Sequence, residues 1–296
     1  MKVKLGQAVK MFFGNSSLEM VYFEAISNSL DADATEINLE INIDAISRAE
    51  TLKIIIEDNG LGFDDWRYKK FSKLFDVEES SHKGLGRLVY LCYFEEVEVD
   101  SIFDNNRQRK FTFSENFDEE DNEVSIISNV PPRTTLTMDR CTLQKVATYD
   151  FLLPTKIKTK ILDEFYTRLF QYKIAGRKIV ININSTISGK LHSEILSTDD
   201  IPDMLLVEMD ATLNLYDKFQ LYYSIKEVEP NETSLISAIS VDNRTKKVDI
   251  IAEENIPTGY KMVFLLMSDY FIGKVDVTRQ NLTLTKTELR EIQKSF

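Results

Sequence analysis

Glu24, Asn28 and Asp31 lie four and seven residues apart within Glu24-Ala25-Ile26-Ser27-Asn28-Ser29-Leu30-Asp31-Ala32. At about 100° per residue these spacings return to one side of a helix, so a carboxylate and an amide share a stripe beside apolar Ala25, Ile26 and Leu30. Polar groups that close to a buried face point to a site rather than a solvated surface, although an ordinary amphipathic helix has the same spacing. A second group, Asp58-Asn59-Gly60-Leu61-Gly62, ends an Ile-rich segment with an acid and two glycines. The glycines let backbone approach a ligand closely; a common hairpin turn reads the same way. A third group, Lys83-Gly84-Leu85-Gly86-Arg87, leads into Leu88-Val89-Tyr90-Leu91. A glycine-rich turn opening a helix offers free N–H groups and the positive end of a dipole, which suits phosphate. It is neither a Walker A loop nor a complete Rossmann fingerprint.

The elements that must carry these groups follow from hydrophobic periodicity. A helix is expected from an N-cap at Ser17 through Asp31, with Leu18, Val21, Tyr22, Ala25, Ile26, Ser29 and Leu30 on its packed face. Glu36–Ile43 alternates as a half-buried strand and Leu52–Glu57 is a second strand. A helix-compatible stretch, Asp64–Phe75, precedes a polar loop, and Gly84–Phe94 reads as a further helix. Short strands follow at Val97–Phe103, Arg109–Phe113, Val124–Val130 and Thr134–Met138. Then come a helix over Lys156–Tyr172, a strand over Lys178–Ile183, and a strand-rich region with Leu205–Glu208, Leu213–Tyr216, Phe219–Ser224 and Met262–Met267. Thr285–Phe296 closes as a helix. The expectation is two α+β units, 1–190 and 191–296, without repeats.

Composition narrows the function classes. The 296 residues hold 36 Lys+Arg against 48 Asp+Glu, a net charge of −12, which gives no support to a surface that grips nucleic acid throughout. No apolar run approaches the ~20 residues of a spanning helix, and Lys10 interrupts the stretch before Met11-Phe12-Phe13, against a secretory signal. Cys92, Cys141, His82 and His192 are too scattered for a zinc site. The expected location is cytoplasmic, or nuclear in a eukaryote, with no membrane partner.

Taken in this order and at these separations, the three groups resemble the GHKL superfamily: DNA gyrase, the ninety-kilodalton heat-shock chaperone, histidine kinases and MutL. Asn28-Ser29-Leu30-Asp31-Ala32 followed by Ala34-Thr35-Glu36-Ile37 is most similar to MutL- and MORC-type members, with Asp33 standing where MutL-like proteins usually have Gly. The resemblance is strongest over residues 17–138. It implies a Bergerat-type α/β sandwich that binds ATP, followed by a smaller transducer-like α+β domain.

Carried over residue by residue, the resemblance makes Asn28 the ligand of Mg²⁺ on the triphosphate and Glu24 the general base for the attacking water. Asp58 becomes the acceptor of the adenine amino group, with Gly60 and Gly62 against the purine and Thr134 near it. Gly84, Leu85 and Gly86 become the phosphate loop, with Lys83 and Arg87 beside it, and Asp31 completes the helix stripe. Arg133 stands where the family prefers Gly. Asp64–Lys83 would be the lid. Tyr270–Arg279 resembles the transducer segment, with Arg279 as the cation reporting the γ-phosphate and Lys274 behind it. The implied activity is slow ATP hydrolysis driving a conformational switch, by nucleotide-dependent homodimerisation or as a subunit of a larger complex. Two alternatives stand beside it. One is an ATP-sensing interaction module with negligible turnover. The other is a histidine-kinase-type phosphotransfer domain, which an acid at Glu24 and only 23 preceding residues disfavour.

Overall fold

The computed structural model of the chain describes residues 6, 9, 13, 14, 16–73, 85–209, 219–249, 256–276 and 281–294. It divides into two compact units, Met1–Ile161 with Arg177–Ser197, and Leu162–Gly176 with Thr198–Phe296. Both mix helices and sheets, as an α+β chain should. Among the described residues no helix is long and apolar enough to cross a membrane.

The first unit is built on an eight-stranded sheet in the order β5-β4-β3-β6-β2-β1-β7-β8. Its strands are β1 (Glu36–Ile43), β2 (Lys53–Asp58), β3 (Glu96–Phe103), β4 (Arg107–Ser114), β5 (Asn122–Ile126), β6 (Arg133–Met138), β7 (Val180–Ile187) and β8 (Lys190–Ser197). Only β1 and β7 pair in parallel; the other neighbours are antiparallel. The alternation expected in β1 is realised, with Ile37, Leu39, Ile41 and Ile43 all buried. Helix α1 (Glu19–Asp31) packs on β1 and β2 and on a 3₁₀ turn, Gly86–Cys92, burying Val21, Tyr22, Ala25, Ile26 and Leu30. Short helix α2 (Asp65–Ser72) is capped by Asp64, whose side chain accepts from Arg67 N at 2.7 Å.

Two local expectations change. Ser17 is not a side-chain cap: Leu18 holds the capping position with helical backbone angles and a buried side chain, and Ser17 offers only its carbonyl, to Met20 N at 3.0 Å. The expected helix after the glycine-rich turn is a 3₁₀ segment. Its tail is drawn toward β3, because Phe94 bridges Cys141, Glu95 N donates to Arg140 O at 3.0 Å, and Thr142 N donates to Tyr93 O at 2.8 Å. An α-helix cannot continue through those pairings. Cys92 and Cys141 are free, half-buried thiols, and burial pushes Cys92 up to about 11, which keeps it a thiol rather than a thiolate at neutral pH.

Helix α3 (Pro154–Ile174) buries Ile157 and Ile161 in the first unit. The second unit carries a five-stranded sheet, β12-β11-β13-β10-β9. Its strands are β9 (Leu205–Met209), β10 (Phe219–Glu227), β11 (Ser234–Val241), β12 (Arg244–Lys247) and β13 (Tyr260–Met267), and helix α4 (Lys286–Lys294) follows. Strands β8, β11 and β12 are absent from the periodicity reading. β12 is charged in sequence, yet Arg244 and Thr245 are buried: Arg244 pairs with Glu164 at 2.9 Å and Thr245 accepts from Thr167 N at 3.0 Å. The expected strand at Leu213–Tyr216 lies outside the described residues. The core of this unit gathers Phe219, Ile239, Val241, Leu266, Phe271 and Ile292 with their neighbours.

Helix α4 starts with a reciprocal cap. Glu288 N donates to Thr285 Oγ1 at 3.2 Å, and Glu288 Oε2 accepts from Thr285 N at 2.6 Å. Lys274 points its ammonium at Glu288 Oε1, 3.1 Å away. A hydrogen bond from the Tyr270 hydroxyl, then those from Thr285 and Lys274, hold the Glu288 carboxyl down to about 2. A lowered folded-state value means this stabilisation is complete above the unfolded value of about 4.3 and is lost as pH falls toward about 2. Glu288→Gln should therefore lower the melting temperature at pH 6, and the gap from wild type should close by about pH 2. A gap that does not change with pH would contradict this assignment.

Candidate nucleotide site

One register row across the first sheet organises the site. Asp58, at the end of β2, pairs with Ile37 on one side and Thr134 on the other; Thr134 pairs with Ser101, and Ser101 with Arg109. Directly opposed residues of antiparallel neighbours project to the same face. The row thus changes from apolar to polar at β2, and all four polar members are buried. Buried polar groups need partners, and these have them. Ser101 Oγ and Thr134 Oγ1 are 2.9 Å apart, and Ser101 Oγ accepts from Phe63 N at 2.8 Å. Arg109 donates to the carbonyls of Phe63 at 3.0 Å and Asp64 at 2.8 Å, pairs with Asp65, and stacks on Tyr68. The Arg109 hydrogen bond is the main cause holding the Asp65 carboxyl below its ordinary value.

Asp58 is the centre of the row. Its Oδ2 accepts from Ser29 Oγ of α1 at 2.8 Å, and its Oδ1 accepts from Gly60 N at 2.9 Å. Burial raises its carboxyl above the ordinary carboxylate range, and the Ser29 and Gly60 hydrogen bonds oppose that rise. The Asp-Asn-Gly segment is no hairpin. Asn59 Oδ1 accepts from Thr35 N at 2.8 Å and Glu36 N at 3.0 Å, tying the end of β2 to the start of β1. Two glycines are required by space. A Cβ on Gly60 would lie 2.7 Å from Ala32 O, and Gly62 adopts φ +74° with Ser101 Oγ 2.9 Å from where its Cβ would stand. Asp33 takes φ +65° in the turn after α1, the conformation that favours Gly, and its carboxylate meets Arg177 at 3.0 Å.

The helix stripe faces the 3₁₀ turn. Glu24 is buried at 9% exposure, and a side chain on Gly86 would collide with its carboxylate. Asn28 is exposed, and its Nδ2 lies 3.4 Å from the Tyr90 hydroxyl. Asp31 is exposed at the last turn of α1. Leu85 and Arg87 are buried. Burial pulls Arg87 down to about 10 while the Glu24 charge opposes the fall.

Glu24, Asn28, Asp58, Gly60, Gly62, Leu85, Gly86, Arg87 and Thr134 therefore cluster around α1, the end of β2 and the adjoining strands. Lys83, Gly84 and Arg279 lie outside the described residues. The periodicity reading places Ser29 on the packed face of the helix without a role at the site, and it gives Tyr90, Ser101 and Arg109 none. Ser29 had a legible signal, a hydroxyl on the apolar face of a helix; Ser101 and Arg109 are set by strand register, which no local pattern carries. Among the described residues no group of three or more His, Cys, Asp or Glu could hold a metal ion. A single amide donor such as Asn28 suits only a cation that keeps most of its waters.

The Ser29 bond gives a direct test. Ser29→Ala removes a hydrogen bond that lowers the Asp58 carboxyl, so Asp58 should titrate still higher, and the protein should lose about 1–3 kcal/mol of stability from the unpaired oxygen. Carbon-detected NMR of the carboxyl across pH and chemical denaturation check both. An unmoved or lower Asp58 midpoint would contradict the bond's role.

Residues 16–148 match the family model described as "Histidine kinase-, DNA gyrase B-, and HSP90-like ATPase". No curated protein sequence matches the chain significantly. Among solved structures, a crystal structure of the N-terminal domain of a DNA repair protein is similar in fold, with a TM-score of 0.60 at 14% identity, over 99% of this chain and 96% of that one. Residues 16–148 are thus a GHKL-type ATP-binding domain, a member of the histidine kinase-, DNA gyrase B- and HSP90-like ATPase family.

Proposed function

We propose that the chain binds ATP with Mg²⁺ and hydrolyses it slowly, and that the cycle drives a conformational switch through nucleotide-dependent dimerisation or within a larger assembly. The observation that carries this reading is the junction of α1, the end of β2 and the Gly86 turn, which gathers a buried acid for a base, a second acid and an exposed amide. An ionised carboxylate accepts at about four positions. Asp58 uses one on each oxygen for Ser29 and Gly60, which leaves capacity for the amino group of adenine. Thr134, in register beside it, is the second residue of the sheet assigned to the adenine side of the site.

Leu85 and Gly86, with Gly84 before them, cradle the phosphates, and Lys83 and Arg87 supply positive charge beside them. Asn28 fits the metal by its chemistry: its Nδ2 faces Tyr90, so its amide oxygen is the hard donor, and one such donor is enough for Mg²⁺. When bound, the ion neutralises the charge that builds on the phosphate oxygens. Glu24, held against Gly86, orients the attacking water and takes its proton. Asp31, in the last turn of α1, borders the opposite end of the site, nearer Asp58. We assign 1–190 as the ATP-binding domain and 191–296 as a transducer-like domain whose Arg279 reports the γ-phosphate. The fold shared with a DNA repair protein's N-terminal domain suits an intracellular assembly of this kind.

The test is Glu24→Ala. Hydrolysis should fall by about 10²–10⁴-fold, measured as phosphate release, while ATP affinity measured by calorimetry stays close to wild type. Equal turnover by variant and wild type would remove Glu24 from the chemistry.

A further inference from the structure

Strand β8 ends the first sheet beside β7, and among the described residues no strand pairs with its other edge. Which of its backbone groups face outward follows from β7. Val180 N donates to Thr35 O at 2.9 Å and Ser188 N to Ile43 O at 3.0 Å, so the even-numbered residues of β7 turn toward β1. The odd-numbered ones therefore bond to β8, where they oppose Leu196, Glu194, His192 and Lys190. Leu191, Ser193 and Ile195 are left with N–H and C=O groups directed away from the sheet. Their side chains stand on its open face, Leu191 at 65% and Ile195 at 59% exposure, while Leu196 is buried.

An eight-residue free edge with two bare aliphatic side chains and no proline is a template for another strand. The opposite end of the sheet is unlike it. There β5 has five residues and follows Asp118-Glu119-Glu120-Asp121, a run of like charge that would repel its own copy.

The strand that β8 matches is itself. In an antiparallel pair about a two-fold axis through Ser193, outward residues oppose outward residues. Leu191 then lies across from the partner's Ile195, and Ile195 from the partner's Leu191, each pair exchanging both backbone hydrogen bonds. On the other face His192 meets the partner's Glu194 at the closer, non-hydrogen-bonded spacing, and the same pair recurs on the far side of the axis. Neither the His192 nor the Glu194 side chain has a hydrogen bond or ion pair among the described residues. A slip of two residues sets Glu194 against its own copy in one direction and His192 against its own copy in the other. Both faces of the strand thus select the same register.

We infer that two copies of the chain join edge to edge through β8, antiparallel about Ser193, into one continuous sheet. Backbone hydrogen bonds supply the affinity, and the aliphatic and acid–imidazole pairs fix the register. The association needs no nucleotide and does not rest on the reading of the ATP site.

Sedimentation equilibrium of the full chain without nucleotide tests it, on the wild type and on Ser193→Pro, His192→Glu and the swap His192→Glu/Glu194→His. The wild type should approach twice the monomer mass as concentration rises. Ser193→Pro removes an N–H that β7 does not use, so the chain should keep its circular dichroism spectrum and lose the dimer. His192→Glu should weaken dimerisation by about tenfold or more, because an opposed pair turns from favourable to unfavourable on both sides of the axis. The swap again sets an acid opposite an imidazole, and its dimer should return to wild-type strength. Should Ser193→Pro disturb the fold, the two charge variants decide. A monomeric wild type, a dimer that survives Ser193→Pro, or a swap no stronger than His192→Glu would each overturn the inference. A dimer that forms only with ATP would overturn it and leave the ATP reading standing.

Discussion

The bond from Ser29 to Asp58, closed on the other oxygen by Gly60 N, is the constraint on which the rest of the site depends. It joins a helix, a strand end and a glycine turn at one carboxylate. The buried apolar face of α1 seats the helix on the sheet, and this bond ties that seat to the end of β2, so Glu24 and Asn28, carried on the same helix, are placed relative to Asp58. Removing a carboxylate from water costs several kcal/mol, and each hydrogen bond to the charged group returns about 1.5–3 kcal/mol. The two bonds offset much of that cost but leave the carboxyl raised above its ordinary range. A ligand that donates one more proton to it would complete the compensation.

The polar row from Asp58 to Arg109 shows how the sheet supports this arrangement. Apolar Ile37 covers one flank, and Thr134, Ser101 and Arg109 extend the polar flank under the Phe63–Asp65 segment. Ser101 and Arg109 answer backbone groups of the loop that follows Gly62. The loop's path, and hence the start of α2, is set by the sheet. At its far end α2 is held by Arg87, which lies over the Phe71 ring and donates to the Lys73 carbonyl. Two arginines from separate elements therefore bracket one short helix beside the site, and both leave a buried Nε without a partner among the described residues.

Much of this was legible in the residues. The alternation of Glu36–Ile43 and the Ile-rich β2 stand as periodicity implies, and the order of the three motifs anticipated an α+β chain with a GHKL-type domain. What escaped reading has common physical roots. Strand β12 hides behind charged residues because α3 supplies Glu164 and Thr167 to satisfy Arg244 and Thr245. The segment after Gly86 looks helical, yet pairing of Phe94 with Cys141 draws it into a 3₁₀ turn. Ser101 and Arg109 become site residues only through register with Asp58, a relation between strands far apart in sequence. Asp33 does a glycine's conformational work because Arg177 reaches it from beyond α3.

The central claim is that Asp58 reads the base of a nucleotide through a donor that adenine has and guanine lacks. Calorimetric titration of the full chain with ATP and with GTP, each with Mg²⁺ at neutral pH, tests it most directly. The account predicts that ATP binds and that GTP, which places a carbonyl oxygen against the carboxylate, binds about a hundredfold more weakly, within the roughly 1–3 kcal/mol that an unmet buried polar group costs. Equal affinity for the two nucleotides would contradict it.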